Sequence, residues 1–112
     1  MEQLDGRNEI KVKSVFSHLA ASDDKKEAEF TRTQISSFEK IAKEVDEKLG
    51  YAPFRHLLNT SGIFNYQEVQ YDMVRSGIGL YGFGNAPEID AELKPIATLK
   101  TIISQIHKIE PN

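Results

Sequence analysis

Ile35, Phe38, Ile41, Ala42, Val45 and Leu49 recur at three- and four-residue steps, with Lys, Glu and Asp on the opposite side, so one long amphipathic helix starts near Phe30. The rest of the fold has to be built around that single element. Thr31 and Gln34 suit a capping box near its start, and Gly50 supplies a left-handed stop. Glu39 with Lys43 and Glu44 with Lys48 read as weak pairs on a solvated face. Ahead of the helix, Glu9 to Leu19 reads EIKVKSVFSHL. Ile10, Val12 and Phe16 fall on one side at period two and Lys11 and Lys13 on the other, the pattern of a strand ending at His18. Ala20 to Ala28 is small and charged, a loop signal. Behind the helix, Phe54-Arg55-His56-Leu57-Leu58 fits a buried strand that runs into the turn-forming cluster Asn59-Thr60-Ser61-Gly62, where Asn59 shapes the turn. Met73 to Gly82 reads as a third strand. Its three glycines, Gly77, Gly79 and Gly82, weaken an ordinary strand and signal close approach, either by a ligand or by another piece of backbone. Strand, helix, strand, strand argues an α/β fold with a parallel sheet. Such a sheet needs cover on both faces, and one long helix is too little for three strands. The sequence therefore reads as a piece of a larger fold.

Composition narrows the class. At 112 residues, 39% hydrophobic and 28% charged, the chain is at most one domain of ordinary globular make-up, which excludes disordered, collagenous and membrane classes. No apolar run approaches the roughly 18 residues of a membrane-spanning helix, and Met1 to Asp5 lacks the basic start of a signal peptide, so a cytoplasmic location is expected. With no cysteine there is no disulfide, thiolate metal site or cysteine nucleophile, and His18, His56 and His107 give thin support for a metal. A formal charge of −3, with Lys25-Lys26 as the only adjacent basic pair before the helix, argues against nucleic acid as a partner.

From Phe83 to Pro95 the composition turns to Gly, Asn, Pro and acidic residues and reads as a linker. In the final run, IATLKTIISQIHKI, the positions Ile96, Leu99, Ile103 and Ile106 fit a helix, whereas β-branched enrichment between Pro95 and Pro111 favours a strand. Period alone leaves both open.

Two segments carry more than secondary structure: Arg55-His56-Leu57-Leu58-Asn59-Thr60-Ser61 and Val74-Arg75-Ser76-Gly77-Ile78-Gly79-Leu80-Tyr81-Gly82. In order and spacing they resemble the pyridoxal phosphate-dependent alanine racemases. That family carries a histidine and an Asn-Ser pair at the end of a late barrel strand, then a Val-Arg-x-Gly-Ile-x-x-Tyr-Gly strand. Ser17-His18-Leu19-Ala20 followed by Phe30, Gln34 and Phe38 resembles the histidine-bearing strand and the helix behind it. Leu99-Lys100-Thr101 resembles the opening of the family's C-terminal β-domain. The resemblance implies the last part of a (β/α)8 TIM-type barrel, a fold of about 250 residues, leading into the first strand of that β-domain. Residues 1–84 would be barrel, 85–95 linker and 96–112 the start of the β-domain.

By the same resemblance the parent protein is an isomerase. It interconverts L- and D-alanine for peptidoglycan synthesis with pyridoxal 5′-phosphate as cofactor, and works as a homodimer. Thr60, where the family usually has serine, and the backbone of Gly77 and Ile78 would hold the cofactor phosphate. Arg75 would bond the pyridine nitrogen, His56 would bond and hold Arg75, and His18 would orient a catalytic tyrosine. His107 matches no family role. Neither the Schiff-base lysine nor the opposing tyrosine is matched, so the chain by itself is expected to be inactive, and its unpaired strand edges are expected to make it self-associate. A parent fused to a cell-wall peptide ligase is also compatible. Two other readings stand beside this one. A pyridoxal phosphate-binding homeostasis protein shares a Val-Arg-x-Gly strand but ends after its barrel, and a non-catalytic interaction module would need no cofactor.

Overall fold

The computed structural model describes residues 9–109; Pro111 and the first eight residues, which include the expected leaderless start, lie outside the described residues. Two strands, β1 (Ser14–Phe16) and β2 (Phe54–His56), pair in parallel with Ser14 opposite Phe54 and Phe16 opposite His56. The connection between them is α1 (Ala28–Leu49), preceded by a single 3₁₀ turn, Lys25–Glu27. Asp24 caps that turn by accepting the Lys26 amide at 2.8 Å.

Thr31, Ile35, Phe38 and Ala42 are the buried residues of α1, one stripe at steps of four, three and four. Ile41, about a quarter turn off the stripe, is exposed. The helix ends as its sequence implies, with Gly50 at φ 71° and its amide bonded to the Asp46 carbonyl at 2.9 Å. Its start differs from the sequence expectation. Thr31 and Gln34 do not form a capping box: Thr31 is buried and donates its hydroxyl to the Ala21 carbonyl, and Gln34 Oε1 accepts the Ala20 amide at 3.0 Å. Both side chains anchor the loop leaving β1 onto the helix. Glu39 accepts from the Tyr71 hydroxyl at 2.9 Å rather than serving Lys43, and burial together with that bond raises the Tyr71 pKa well above its usual value.

The core is Leu19, Ile35, Phe38, Leu57, Leu58, Tyr66 and Val69, with Val15 packed against it from β1. Val15 thus faces α1, while its neighbours Ser14 and Phe16 share the other face of the sheet with Phe54 and His56. On that second face Phe16 and Phe54 stand 63% and 65% exposed. The shortfall of cover argued from the sequence is located there. Leu58 is wholly buried, and shortening it leaves a void in the core. Leu58→Ala is expected to cost about 2–5 kcal/mol, read as a lower urea midpoint by circular dichroism.

Met73 to Gly82 is not the third strand that its composition suggests. Asp72 and Arg75 donate their amides to the Arg55 and Leu58 carbonyls, and Met73 makes a single parallel bridge to His56. Beyond Arg75 the chain leaves the ladder, because the amides of Gly77 and Gly79 bond to a side chain instead, and it closes as a 3₁₀ turn at Ile78–Tyr81. The cluster after β2 is likewise more than a turn. Thr60 opens a helix, α2 (Thr60–Asn65), followed by a 3₁₀ turn at Gln67–Val69. A one-turn helix, α3 (Pro87–Asp90), stands inside the expected linker.

Residues 96–109 adopt neither of the two structures that their sequence allows; they have no regular secondary structure and are exposed, with Leu99 at 98%. Consistent with that excursion, the radius of gyration is 20.3 Å, against about 13 Å for a compact chain of this length. Among the described residues no helix is long and apolar enough to cross a membrane.

Candidate functional site

Three chain segments leave the sheet at the same end: the loop after β1, the turn after β2 and the stretch following Arg75. Asn59 ties the first two together. Its Oδ1 caps α2 by accepting the Gly62 amide at 2.9 Å and also accepts the Ser22 hydroxyl at 2.7 Å, while its Nδ2 donates to the Leu19 carbonyl at 3.3 Å. With its polar atoms committed to the protein, Asn59 shapes the loops, as the sequence suggests, and has little left for a ligand. Asn59→Ala is expected to cost about 2 kcal/mol through the lost cap and the orphaned Leu19 carbonyl, measured by thermal unfolding.

Thr60 joins the third segment. Its Oγ1 accepts the amides of Gly77 at 3.0 Å and Gly79 at 3.1 Å, and the side chain is buried. A hydroxyl has one hydrogen and two acceptor positions, so with both positions filled the Thr60 hydrogen remains for a further acceptor. The Ile78 amide opens the 3₁₀ turn and has no acceptor within it.

Arg75 stitches the strand ends. Its Nη2 donates to the Ser17 carbonyl at 2.6 Å and the Leu57 carbonyl at 3.2 Å, one residue beyond the last paired residue of β1 and β2. Those carbonyls are available because the ladder has just ended. The guanidinium carbon lies 5.2 Å from the centre of the Phe16 ring, a cation–π contact, and the N–H groups on Nη1 and Nε have no partner among the described residues.

These residues enclose a cleft of about 350 Å³. Its wall is made by His18, Asn59, Thr60, Ser61, Arg75, Ser76, Gly77, Ile78 and Asn85, with no acidic residue among them. The structure thus brings five of the six sequence-selected residues, His18, Thr60, Arg75, Gly77 and Ile78, to one wall. His56 is the exception. It lies buried beneath, stacked on Phe16 at 5.0 Å, with Nε2 3.4 Å from the Ser14 hydroxyl and Nδ1 without a hydrogen-bond partner among the described residues. Among the described residues no hydrogen bond joins His56 to Arg75, which is held by the strand-end carbonyls instead; both side chains lie against the Phe16 ring. His107 sits on the exposed final segment and takes no part in the cleft.

Asn85 carries no motif in the sequence, yet its Nδ2 donates to the Ser61 hydroxyl at 3.0 Å and it lines one side of the cleft. The available signal was the Gly84-Asn85 pair: Asn85 has φ 62°, a conformation that asparagine tolerates better than most residues. The structure also separates the glycines. A Cβ on Gly79 or Gly82 would collide with protein atoms, so close approach there is by the chain itself, whereas on Gly77 it would meet only Thr60 Oγ1, at 3.9 Å.

Burial, and secondarily the charge of Arg75, lowers the His56 pKa below its usual 6.5. The unfolded chain then binds the extra proton more readily, so stability is complete above pH 6.5 and declines as the pH falls through the interval between 6.5 and the lowered value. Urea midpoints measured from pH 7.5 down to pH 5 are expected to fall, and His56→Asn is expected to flatten that slope. Among the described residues no group of three His, Cys, Asp or Glu could hold a metal ion.

Comparison with known proteins gives this cleft a context. Residues 1–85 match the family described as alanine racemase, N-terminal domain. The alanine racemase of Treponema denticola is 39% identical over 113 residues, covering 96% of this chain and 30% of that protein. The solved alanine racemase of the D-cycloserine producer Streptomyces lavendulae superposes with a TM-score of 0.65 at 31% identity, over 76% of this chain and 23% of that one. The alanine racemase of Bartonella henselae, solved with covalently bound pyridoxal phosphate, gives a TM-score of 0.52 at 28% identity, over 67% and 19%. The chain spans less than a third of the length of these relatives. By the extent of the family match, and with the motif residues gathered at one cleft, the chain belongs to the alanine racemase family and carries part of its N-terminal domain, a TIM-type barrel.

Proposed function

We propose that this chain is the part of an alanine racemase that holds the phosphate and the ring nitrogen of pyridoxal 5′-phosphate, within a complete cytoplasmic, homodimeric protein that interconverts L- and D-alanine for peptidoglycan synthesis. Residues 1–84 are then barrel, 85–95 linker and 96–112 the start of a β-domain. The reading rests on the donor set of the cleft: the Thr60 hydroxyl hydrogen, the Ile78 amide and the unused N–H groups of Arg75 line one concavity that has no carboxylate. That set fits a phosphate beside a heteroaromatic nitrogen. The open space at Gly77 admits a ligand close to the backbone.

When bound, the cofactor supplies the electron-withdrawing ring that loosens the α-hydrogen of alanine. Thr60 and the Ile78 amide would donate to the phosphate. Arg75 would donate to the ring nitrogen through the fixed fork of N–H groups that its guanidinium carries. His18, exposed on the cleft wall, would orient a base supplied by another part of the complete protein.

The test is racemisation by the complete protein with added pyridoxal phosphate, in parent and Thr60→Ala forms. The parent is expected to form D-alanine, and Thr60→Ala to need about tenfold more cofactor, the loss of one charged hydrogen bond. A parent that binds the cofactor but leaves alanine unchanged overturns the substrate; one that binds none overturns the reading. The 112-residue chain alone is expected to form no D-alanine and to self-associate in sedimentation, because Phe16 and Phe54 leave one sheet face bare.

A further inference from the structure

Thr60 is β-branched, buried and the first residue of α2, so its side chain has little rotameric freedom. The rotamer that lets Oγ1 accept both the Gly77 and Gly79 amides also lays the methyl group against Gly79. A Cβ on residue 79 would stand 2.9 Å from Thr60 Cγ2 and 3.0 Å from Ser76 Oγ. Ser76 is exposed and can turn away, but Thr60 cannot. Moving the methyl aside rotates χ1 to another staggered well and swings the hydroxyl off both amides.

We propose that Gly79 is a positioning residue that aims the Thr60 hydroxyl, so that positions 60 and 79 form a matched pair: threonine requires glycine, and a side chain at 79 requires serine at 60. Thr60 with Gly79 holds the hydroxyl hydrogen in one direction before any anion arrives. Serine opposite alanine reaches the same bonds without the methyl but with a freer rotor. The inference rests on the phosphate reading of the cleft for its functional consequence, though not for the steric pairing itself.

The experiment uses the 112-residue chain in four forms: parent, Gly79→Ala, Thr60→Ser and the double variant. Amide proton shifts of Gly77 are followed by nuclear magnetic resonance, and inorganic phosphate is titrated into each form. Gly79→Ala is expected to move the Gly77 amide proton upfield and to weaken phosphate binding about tenfold, while the double variant regains the shift and the affinity of Thr60→Ser. An unmoved Gly77 amide in Gly79→Ala overturns the pairing, and so does a double variant no better than Gly79→Ala. If Gly79→Ala fails to fold, recovery of the folded spectrum in the double variant supports the pairing and its absence overturns it. A parent that binds no phosphate refutes the cofactor-phosphate reading, and the amide shifts still decide the pairing.

Discussion

Arg75→Ala in the complete protein is expected to reduce racemisation about a hundredfold at saturating pyridoxal phosphate, the size of effect that follows loss of one oriented donor at a reacting centre. Two separate losses contribute. The first is the N–H that, on the proposed reading, Arg75 would offer to the ring nitrogen. The second is the clamp: with the guanidinium gone, the part-buried Leu57 carbonyl loses its donor, while the more exposed Ser17 carbonyl turns to water. The clamp is worth about 2 kcal/mol, including the contact with Phe16. Arg75→Lys separates the two losses. An ammonium restores one carbonyl bond and the charge but not the planar fork, so stability is expected to recover more than turnover. D-alanine formation and urea midpoints on the same three proteins check this. An Arg75→Ala protein that is destabilised yet turns over at the parent rate would show that Arg75 clamps the strands and does not serve the ring.

Gly82→Ala is expected to be strongly destabilising. Gly82 has φ 89°, which costs an L-residue about 1–2 kcal/mol, and its missing side chain is the space through which Lys94 and Pro95 pass. Backbone cannot rotate aside as a side chain does, so the outgoing segment must lift, breaking the bond from the Ile96 amide to the Tyr81 carbonyl. A total loss of about 3 kcal/mol follows. Hydrogen exchange at Ile96 is expected to rise to the rate of an unprotected amide. Gly50→Ala is the control: φ is 71°, but no atom lies within 4 Å of the added methyl, so only the conformational cost applies. Equal losses at the two positions would mean that the crossing of residues 94–95 over Gly82 does not constrain the chain.

Both variants probe contacts that no local pattern announces, and the same holds for much of the cleft. The Val-Arg-x-Gly-Ile spacing singles out Arg75, Gly77 and Ile78, which lie on one cleft wall, because a motif preserves residue types and intervals. It carried no information that Arg75 would be held by carbonyls at the ends of β1 and β2 instead of by His56. Asn85 was read as linker because glycine, asparagine and proline around it speak only of turns.

What the sequence by itself determined is what depends on neighbours along the chain. The period of α1 and its stop at Gly50 follow from steps of three and four residues and from one left-handed position; the shortage of cover for the sheet follows from counting helices. Tertiary structure decided everything that depends on which atoms are left without a partner. Thr31 and Gln34 serve the loop after β1 because that loop has donors and acceptors that the helix start does not claim first. Gly77 and Gly79 leave the ladder because the Thr60 hydroxyl meets their amides where no further strand does. Residues 96–109 stay irregular and exposed because apolar periodicity selects a helix or a strand only when a surface is present to bury it.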